Sequence, residues 1–146
     1  GQAMHPTFSG VPMEKRIELP VMEDAQLGMC TGMALRGYVP ISIFPRWNFL
    51  LLATNQLVLH LDKLSIYSNG GYRPKVIIRT AVASRLPLDP QAQHLGDFSE
   101  AFRKMLKTVE VIELDNADMI FPAYRKAYER EDGRSTLIVE RTDRYA

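Results

Sequence analysis

Small and apolar residues recur at helical spacing in residues 23–36, at Leu27, Cys30, Thr31, Ala34 and Leu35. That spacing predicts a helix with Gly37 as its stop. Residues 39–44, 75–80, 109–114 and 136–140 are runs of β-branched and apolar residues with little alternation, and each predicts a strand. Residues 16–19, Arg16-Ile17-Glu18-Leu19, read as a fifth, short strand. Residues 48–65 are leucine-rich, with apolar side chains around most of the helical circumference, and predict one long buried helix. Asp97 is placed to cap a helix through Lys107, and Asp115 or Asn116 to cap another that runs to about residue 130, with Pro122 early in it. Asn69-Gly70-Gly71 and Glu131-Asp132-Gly133 predict turns. Residues 84–96, with Pro87 and Pro90, predict a loop, and residues 1–14 an irregular arm.

The predicted order is β-α-β-α-β-loop-α-β-α-β. Unalternating apolar strands between helices imply a sheet covered on both faces. The expected fold is a three-layer α/β/α sandwich around a mainly parallel, doubly wound sheet. Ligands of such sheets bind outside the carboxyl ends of the strands. The informative loops are therefore residues 20–23, 44–48, 81–96 and 115–119.

Composition narrows the function classes. Of 146 residues, 46% are apolar, enough for a core, and the net charge is +1 with no block of one sign. Nucleic-acid and membrane partners are not expected from that balance. The longest apolar stretch, around 49–52, is too short to span a bilayer. Cys30 is the single cysteine, so neither an internal disulfide nor a cysteine metal cage is expected. It reads as a small buried helix residue. The opening residues lack the basic start and apolar run of a signal peptide, so a cytoplasmic setting is expected.

The segment Leu19-Pro20-Val21-Met22-Glu23-Asp24-Ala25-Gln26-Leu27-Gly28-Met29-Cys30-Thr31-Gly32-Met33-Ala34-Leu35-Arg36-Gly37-Tyr38-Val39-Pro40-Ile41 carries a specific pattern. A glutamate stands at a strand-to-helix turn, a helix with small residues follows, and then a glycine and a strand beginning near a proline. The pattern resembles the pyrimidine-binding domains of thiamine-diphosphate enzymes, namely transketolases and the β-subunits of 2-oxoacid dehydrogenase first components. Residues 44–49, Asn55-Gln56, Lys63, Val76-Ile77-Ile78-Arg79, Gln93-His94 and Phe98-Ser99-Glu100-Ala101-Phe102 resemble further family segments in order. The resemblance spans roughly residues 14–143, and no single piece carries it alone.

The resemblance implies that residues 15–146 form a pyrimidine-binding domain with the thiamine-diphosphate-binding fold. It implies that a glutamate, here Glu23, shares a proton with a pyrimidine nitrogen of the cofactor. That favours the imino tautomer, which deprotonates the thiazolium carbon. Without the resemblance, Glu23 would read as a first-turn carboxylate favourable to the helix dipole. Phe44, Trp47 and Phe49 follow a predicted strand; one of them could stack on the pyrimidine, with Phe49 favoured, or all could fill core. His94, in the loop after the third strand, could hydrogen-bond substrate or move protons, or be a solvated loop residue. Gly28 and Gly32, four apart, allow close backbone approach, either within the chain or at a subunit interface. Arg79 is expected to pair with a carboxylate at its strand end, and Arg85 stays unassigned. His5 and His60 read as structural or solvated.

Three departures qualify the resemblance. The family's first helix and strand have no counterpart before Glu23, and its C-terminal domain has none after residue 143. The family's Gly-Asp-Gly and distant Asn, which hold Mg²⁺ and diphosphate, are absent; Glu131-Asp132-Gly133 lacks the first glycine. The loop 81–96 lacks the family's glycines upstream of Gly96. The expectation is therefore half a site. A partner chain would carry Gly-Asp-Gly and supply Mg²⁺ and diphosphate binding, in a homo- or heterodimer or a tetramer. The assembled enzyme would catalyse ketol transfer or 2-oxoacid decarboxylation. Two alternatives stand beside it: a degenerate, non-catalytic module that keeps the fold and the subunit contact, and a generic flavodoxin-like ligand-binding domain. The last is disfavoured, because Pro20-Val21-Met22-Glu23 offers no glycine phosphate loop.

Overall fold

The structure is a computed structural model and describes residues 7–85 and 89–145. His5 and Pro87, singled out above, lie outside the described residues, as do residues 1–4. Helix α1 (Glu23–Leu35) opens with Glu23 and Asp24, two carboxylates at the positive end of its dipole. Strand β1 (Ile41–Ile43) follows, its register starting at Ile41 opposite Ile77, and the Pro40 carbonyl just before it accepts the Ile77 N–H at 3.0 Å. Next come α2 (Trp47–Leu52), a π-helical turn (Gln56–Leu61) and the short α3 (Leu64–Tyr67). Strand β2 (Ile77–Val82), helices α4 (Gln91–His94) and α5 (Ser99–Met105), strand β3 (Glu110–Leu114), helix α6 (Ile120–Glu129) and strand β4 (Thr136–Arg141) complete the order.

The four strands form an all-parallel sheet in the order β1-β2-β4-β3. Central β4 is buried on both faces, with Leu137, Ile138 and Val139 each 0% exposed. This explains its unalternating apolar sequence. Odd and even positions feed two cores. Val76, Ile78, Leu137 and Val139 pack with Leu27, Trp47, Leu57 and Phe102, from α1, α2, the π turn and α5. Ile77, Ile138 and Leu114 pack on the other face with Ala127, Ala123 and Tyr124 of α6. Helices on both faces of a parallel sheet make the expected three-layer α/β/α sandwich. No helix among the described residues is long and apolar enough to cross a membrane.

Two sequence expectations are corrected. Residues 16–19 form no strand. The Arg16 guanidinium instead folds back, donating from Nε to the Val11 carbonyl at 2.8 Å and from Nη2 to the Phe8 carbonyl at 2.7 Å. A strand needs a hydrogen-bonded neighbour, and the sheet here begins at β1. The long helix 48–65 is broken into three. The Thr54 hydroxyl donates to the Leu51 carbonyl at 2.6 Å, and the Asp62 N–H reaches back five residues to the Leu57 carbonyl. That wider turn keeps Leu57 and Leu61 inward and buries the Asp62 carboxylate as well.

The Asp62 carboxylate anchors the α5–β3 connection. It accepts the backbone N–H groups of Lys107, Thr108 and Val109 at 2.7–3.0 Å and pairs with Lys63. The capping expectations are corrected near α5 and α6: α5 ends at Met105 and its N-cap is Phe98, one residue after Asp97, and Asn116 caps the 3-10 turn Ala117–Met119 while Met119 stands at the N-cap of α6. Asp97 Oδ1 accepts the Ser99 N–H at 3.0 Å, and Asn116 accepts the Asp118 N–H at 2.9 Å before a 3-10 turn leads into α6. Pro122 sits in the first turn of α6, where its missing N–H costs nothing. Lys75 closes the far end of α6, donating to the carbonyls of Tyr128 and Arg130 at 2.7 and 3.0 Å.

Candidate functional site

Parallel strands bring the heads of the following helices to one edge of the sheet. At the carboxyl end of β1, Gln26 Nε2 donates to Ser42 Oγ at 3.0 Å and to the Ile43 carbonyl at 3.1 Å. This side chain fixes the first turn of α1 against the strand end. Glu23, one turn earlier, is half-buried, and its carboxylate makes no hydrogen bond or ion pair among the described residues. A carboxylate held near a strand end without a partner is available to an incoming group.

Asp24 beside it accepts the Gln56 amide through Oδ2 at 3.4 Å, while its Oδ1 is buried without a partner. Gln56 comes from the π turn, and its side chain also lies against Gly28: a Cβ there would sit 3.5 Å from Gln56 Cδ. Gly28 therefore serves a contact within this chain. Gly32 is exposed, and a Cβ there would meet nothing within 4 Å. It lies on the outer side of α1 with exposed Ala25 and Met29.

The three aromatic candidates separate. Phe44 and Trp47 are core residues, 1% and 0% exposed. Trp47 packs on Phe102 with ring centroids 4.9 Å apart and meets Phe98 edge-on at 6.2 Å. Phe49 is half-buried at the core margin, and its ring stacks on His94 at 5.8 Å with planes 25° apart. Helix α2, which carries Phe49, packs against both α1 and α4. The His94 Nδ1, Asn48 Oδ1 and Trp47 Nε1 atoms are buried without partners among the described residues. Buried polar groups are nearly always hydrogen-bonded. With Asp24 Oδ1, four such atoms come from α1, α2 and α4, the helices of this one corner; Thr80 Oγ1 and the Tyr145 hydroxyl are others elsewhere.

Gln26, Asp24 and Asn48 were given no site role from the sequence, and Gln56 was quoted there only as part of the resemblance. Gln26 carried one usable signal, its place a turn after Glu23 on the same helix face. The other three depend on how the π turn and α2 dock.

Arg79 pairs with a strand-end carboxylate as expected. Its Nη2 lies 2.6 Å from Glu140 Oε2, and the Tyr124 hydroxyl donates to Glu140 Oε1 at 2.9 Å. Burial, and then the Glu140 charge, push the Tyr124 hydroxyl well above its ordinary value. Arg85 makes an exposed pair with Asp89 at 3.0 Å. His60 is exposed on the π turn. Cys30 is half-buried; desolvation raises its thiol and the Ser42 hydrogen bond offsets part of the rise, so it stays a packing residue.

No protein-family model matches the chain. Part of it is similar to the pyruvate dehydrogenase E1 component subunit beta of Cyanidium caldarium. The two are 35% identical over 63 residues, which is 43% of this chain and 19% of that protein. The protein of the same name from Gracilaria tenuistipitata var. liui is 33% identical over 63 residues, 43% of this chain and 20% of the relative. The matched stretch thus spans about one fifth of the curated relatives. The similarity to these subunits is distant and partial.

Proposed function

We propose that this chain is the pyrimidine-binding, β-type part of a split thiamine-diphosphate enzyme of the 2-oxoacid dehydrogenase or transketolase kind. The observation that carries the reading is the corner where β1 and β2 end. Glu23 heads α1 without a partner among the described residues, the half-buried Phe49 stacks on His94, and buried polar atoms on α1, α2 and α4 lack partners among the described residues, in a chain partly similar to pyruvate dehydrogenase E1 β-subunits. The residues present fit half of such a cofactor, an aromatic ring with hydrogen-bonding nitrogens.

When bound, thiamine diphosphate supplies a carbon nucleophile for reaction beside a substrate carbonyl. Glu23 would meet the cofactor's pyrimidine and hold or release a proton at its carboxylate oxygen. Gln26 would keep that carboxylate in place by tying α1 to Ser42 and the Ile43 carbonyl. Phe49, backed by His94, would offer a ring face, while Phe44 and Trp47 would support it from the core behind. His94 would hydrogen-bond a substrate or cofactor oxygen. Mg²⁺ and the diphosphate would be held by a second chain, and the exposed side of α1 around Ala25, Met29 and Gly32 would face it.

Isothermal titration of the isolated chain with thiamine diphosphate and Mg²⁺ tests the split. The reading expects no tight binding until a diphosphate-binding chain is added; tight stoichiometric binding by this chain alone would sink it.

A second reading, a non-catalytic module that keeps the subunit contact, draws on the same α1 face. Val21 and Met22 just before the helix and Met29 on it are large apolar side chains open to solvent, 86%, 58% and 48% exposed. An apolar exposed helix face is a recognition surface with or without chemistry. Under this reading Glu23→Gln leaves the assembled complex fully active.

A further inference from the structure

The sheet edge opposite the candidate site bears a cleft of about 490 Å³. Three separate loops line it, each running into the amino end of a strand. The turn before β2 contributes Arg73, the α5–β3 connection contributes Lys107, and the turn before β4 contributes Arg134. None of the three makes an ion pair among the described residues. Leu61 and Pro74 give the cleft an apolar part.

The backbone beneath each cation is fixed. Arg73 lies between two glycines in the left-handed region, Gly70 at φ +80° and Gly133 at φ +69°. A Cβ on Gly70 would come within 3.2 Å of the Arg73 guanidinium, and one on Gly133 within 2.8 Å of Arg73 Cβ. Only glycine gives both the turn and the room. Arg134 is tethered through Nε to the Thr108 carbonyl at 2.7 Å, which leaves both Nη groups for another partner. Lys107 rides on the turn whose amides grip buried Asp62. The cleft's one carboxylate, Asp132, is already engaged. Arg130 binds both its oxygens, at 2.6 and 2.7 Å, and the Arg134 N–H donates to it at 3.0 Å. The cleft is therefore positive, and its cations come from three separate loops.

We propose that this cleft binds a phosphate monoester, with the dianion among Arg73, Lys107 and Arg134 and a compact organic body against Leu61 and Pro74. Arginine forks suit oxyanions, and lysine adds a point charge. The volume falls in the range of small-molecule sites, about 300–1,000 Å³, and exceeds what a bare phosphate fills. The site is remote from Glu23 and does not depend on the proposed cofactor.

The test is an amide chemical-shift titration of the isotope-labelled chain with phenyl phosphate at constant ionic strength. Chloride, inorganic phosphate and polyglutamate are the comparison titrants. The proposal expects saturable shifts centred on Gly70, Arg73, Lys107, Thr108, Gly133 and Arg134, tighter for phenyl phosphate than for inorganic phosphate. Arg73→Gln and Arg134→Gln, both at exposed positions, should each weaken binding about fivefold, roughly one charge-assisted contact near solvent. Arg125→Gln, outside the cleft, should leave it unchanged. Equal shifts with chloride, wild-type binding by the Arg73→Gln/Arg134→Gln double variant, or a response to polyglutamate alone would overturn the proposal. Inorganic phosphate binding as tightly as phenyl phosphate would overturn its ester half.

Discussion

Replacing Asp62 by alanine should be among the most destabilising single changes in this chain. The side chain is fully buried and accepts the N–H groups of Lys107, Thr108 and Val109, with Lys63 as its counter-charge. A hydrogen bond to a charged group contributes about 1.5–3 kcal/mol. Lys107 is exposed and Thr108 half-buried, so their amides regain water in the variant. The Val109 amide, in a buried residue, does not. Discounting the two wetted amides, the loss comes to about 3–5 kcal/mol. For a chain of this length that is roughly 10–15 °C in melting midpoint. Urea unfolding followed by circular dichroism reads the loss as a lower midpoint with an unchanged slope. Asp62→Asn keeps one acceptor and should lose about half as much.

The pH dependence has a fixed sign. Burial alone would raise the Asp62 carboxyl, but the Lys63 ammonium and the three amides outweigh it and hold it below its ordinary value of 3.8. The stabilisation is therefore present above that value and is lost as pH falls through the lower folded value. The Asp62→Asn chain should show a flatter acid limb than the wild type. A loss under about 1 kcal/mol, or an identical acid limb, would refute this account of the α5–β3 anchor.

Further outcomes follow from other contacts. Glu140→Ala removes the mostly buried ion pair with Arg79 and the acceptor of the Tyr124 hydroxyl, so urea unfolding should show a loss of about 2–3 kcal/mol. Burial, with Glu140 nearby, pushes the Tyr145 hydroxyl up to about 12, so spectrophotometric titration should find it ionising after the exposed tyrosines. Because that folded value is raised, the stability it contributes is complete below the unfolded value near 10 and disappears as pH rises through about 12. Gln26→Ala removes the tie from α1 to Ser42 and the Ile43 carbonyl and should cost about 1 kcal/mol by the same unfolding assay. Glu23→Gln removes only a dipole interaction and should change stability by less than about 1 kcal/mol.

What the sequence made legible was whatever local pattern alone decides. The β-branched run 75–80, the unalternating run 136–140 and the small-residue spacing of α1 each fix an element without knowledge of neighbours. Residues 16–19 misled because a strand-like composition forms a strand only beside a partner, and Arg16 found the Phe8 and Val11 carbonyls instead. The run 48–65 misled because helical composition does not distinguish α from π hydrogen bonding, and the burial of Asp62 against a loop 45 residues away decides the register. Of the candidate residues, Glu23 heads α1 as expected, whereas the stack of Phe49 on His94 was not foreseen. Gln56 was not legible, because its contact with Asp24 and Gly28 exists only once the π turn docks on α1. The basic cleft was hidden for the same reason, its three cations lying far apart along the chain.

The most direct test of the proposed role of this chain is the activity of the assembled complex, this chain with a diphosphate-binding partner, carrying Glu23→Gln. The account predicts an intact complex, this chain's stability within about 1 kcal/mol of wild type, and a rate on a 2-oxoacid substrate reduced by about 10²-fold or more, as expected when a positioned proton-transfer group is removed. Undiminished turnover by the Glu23→Gln complex would contradict it and leave the chain as an interaction module.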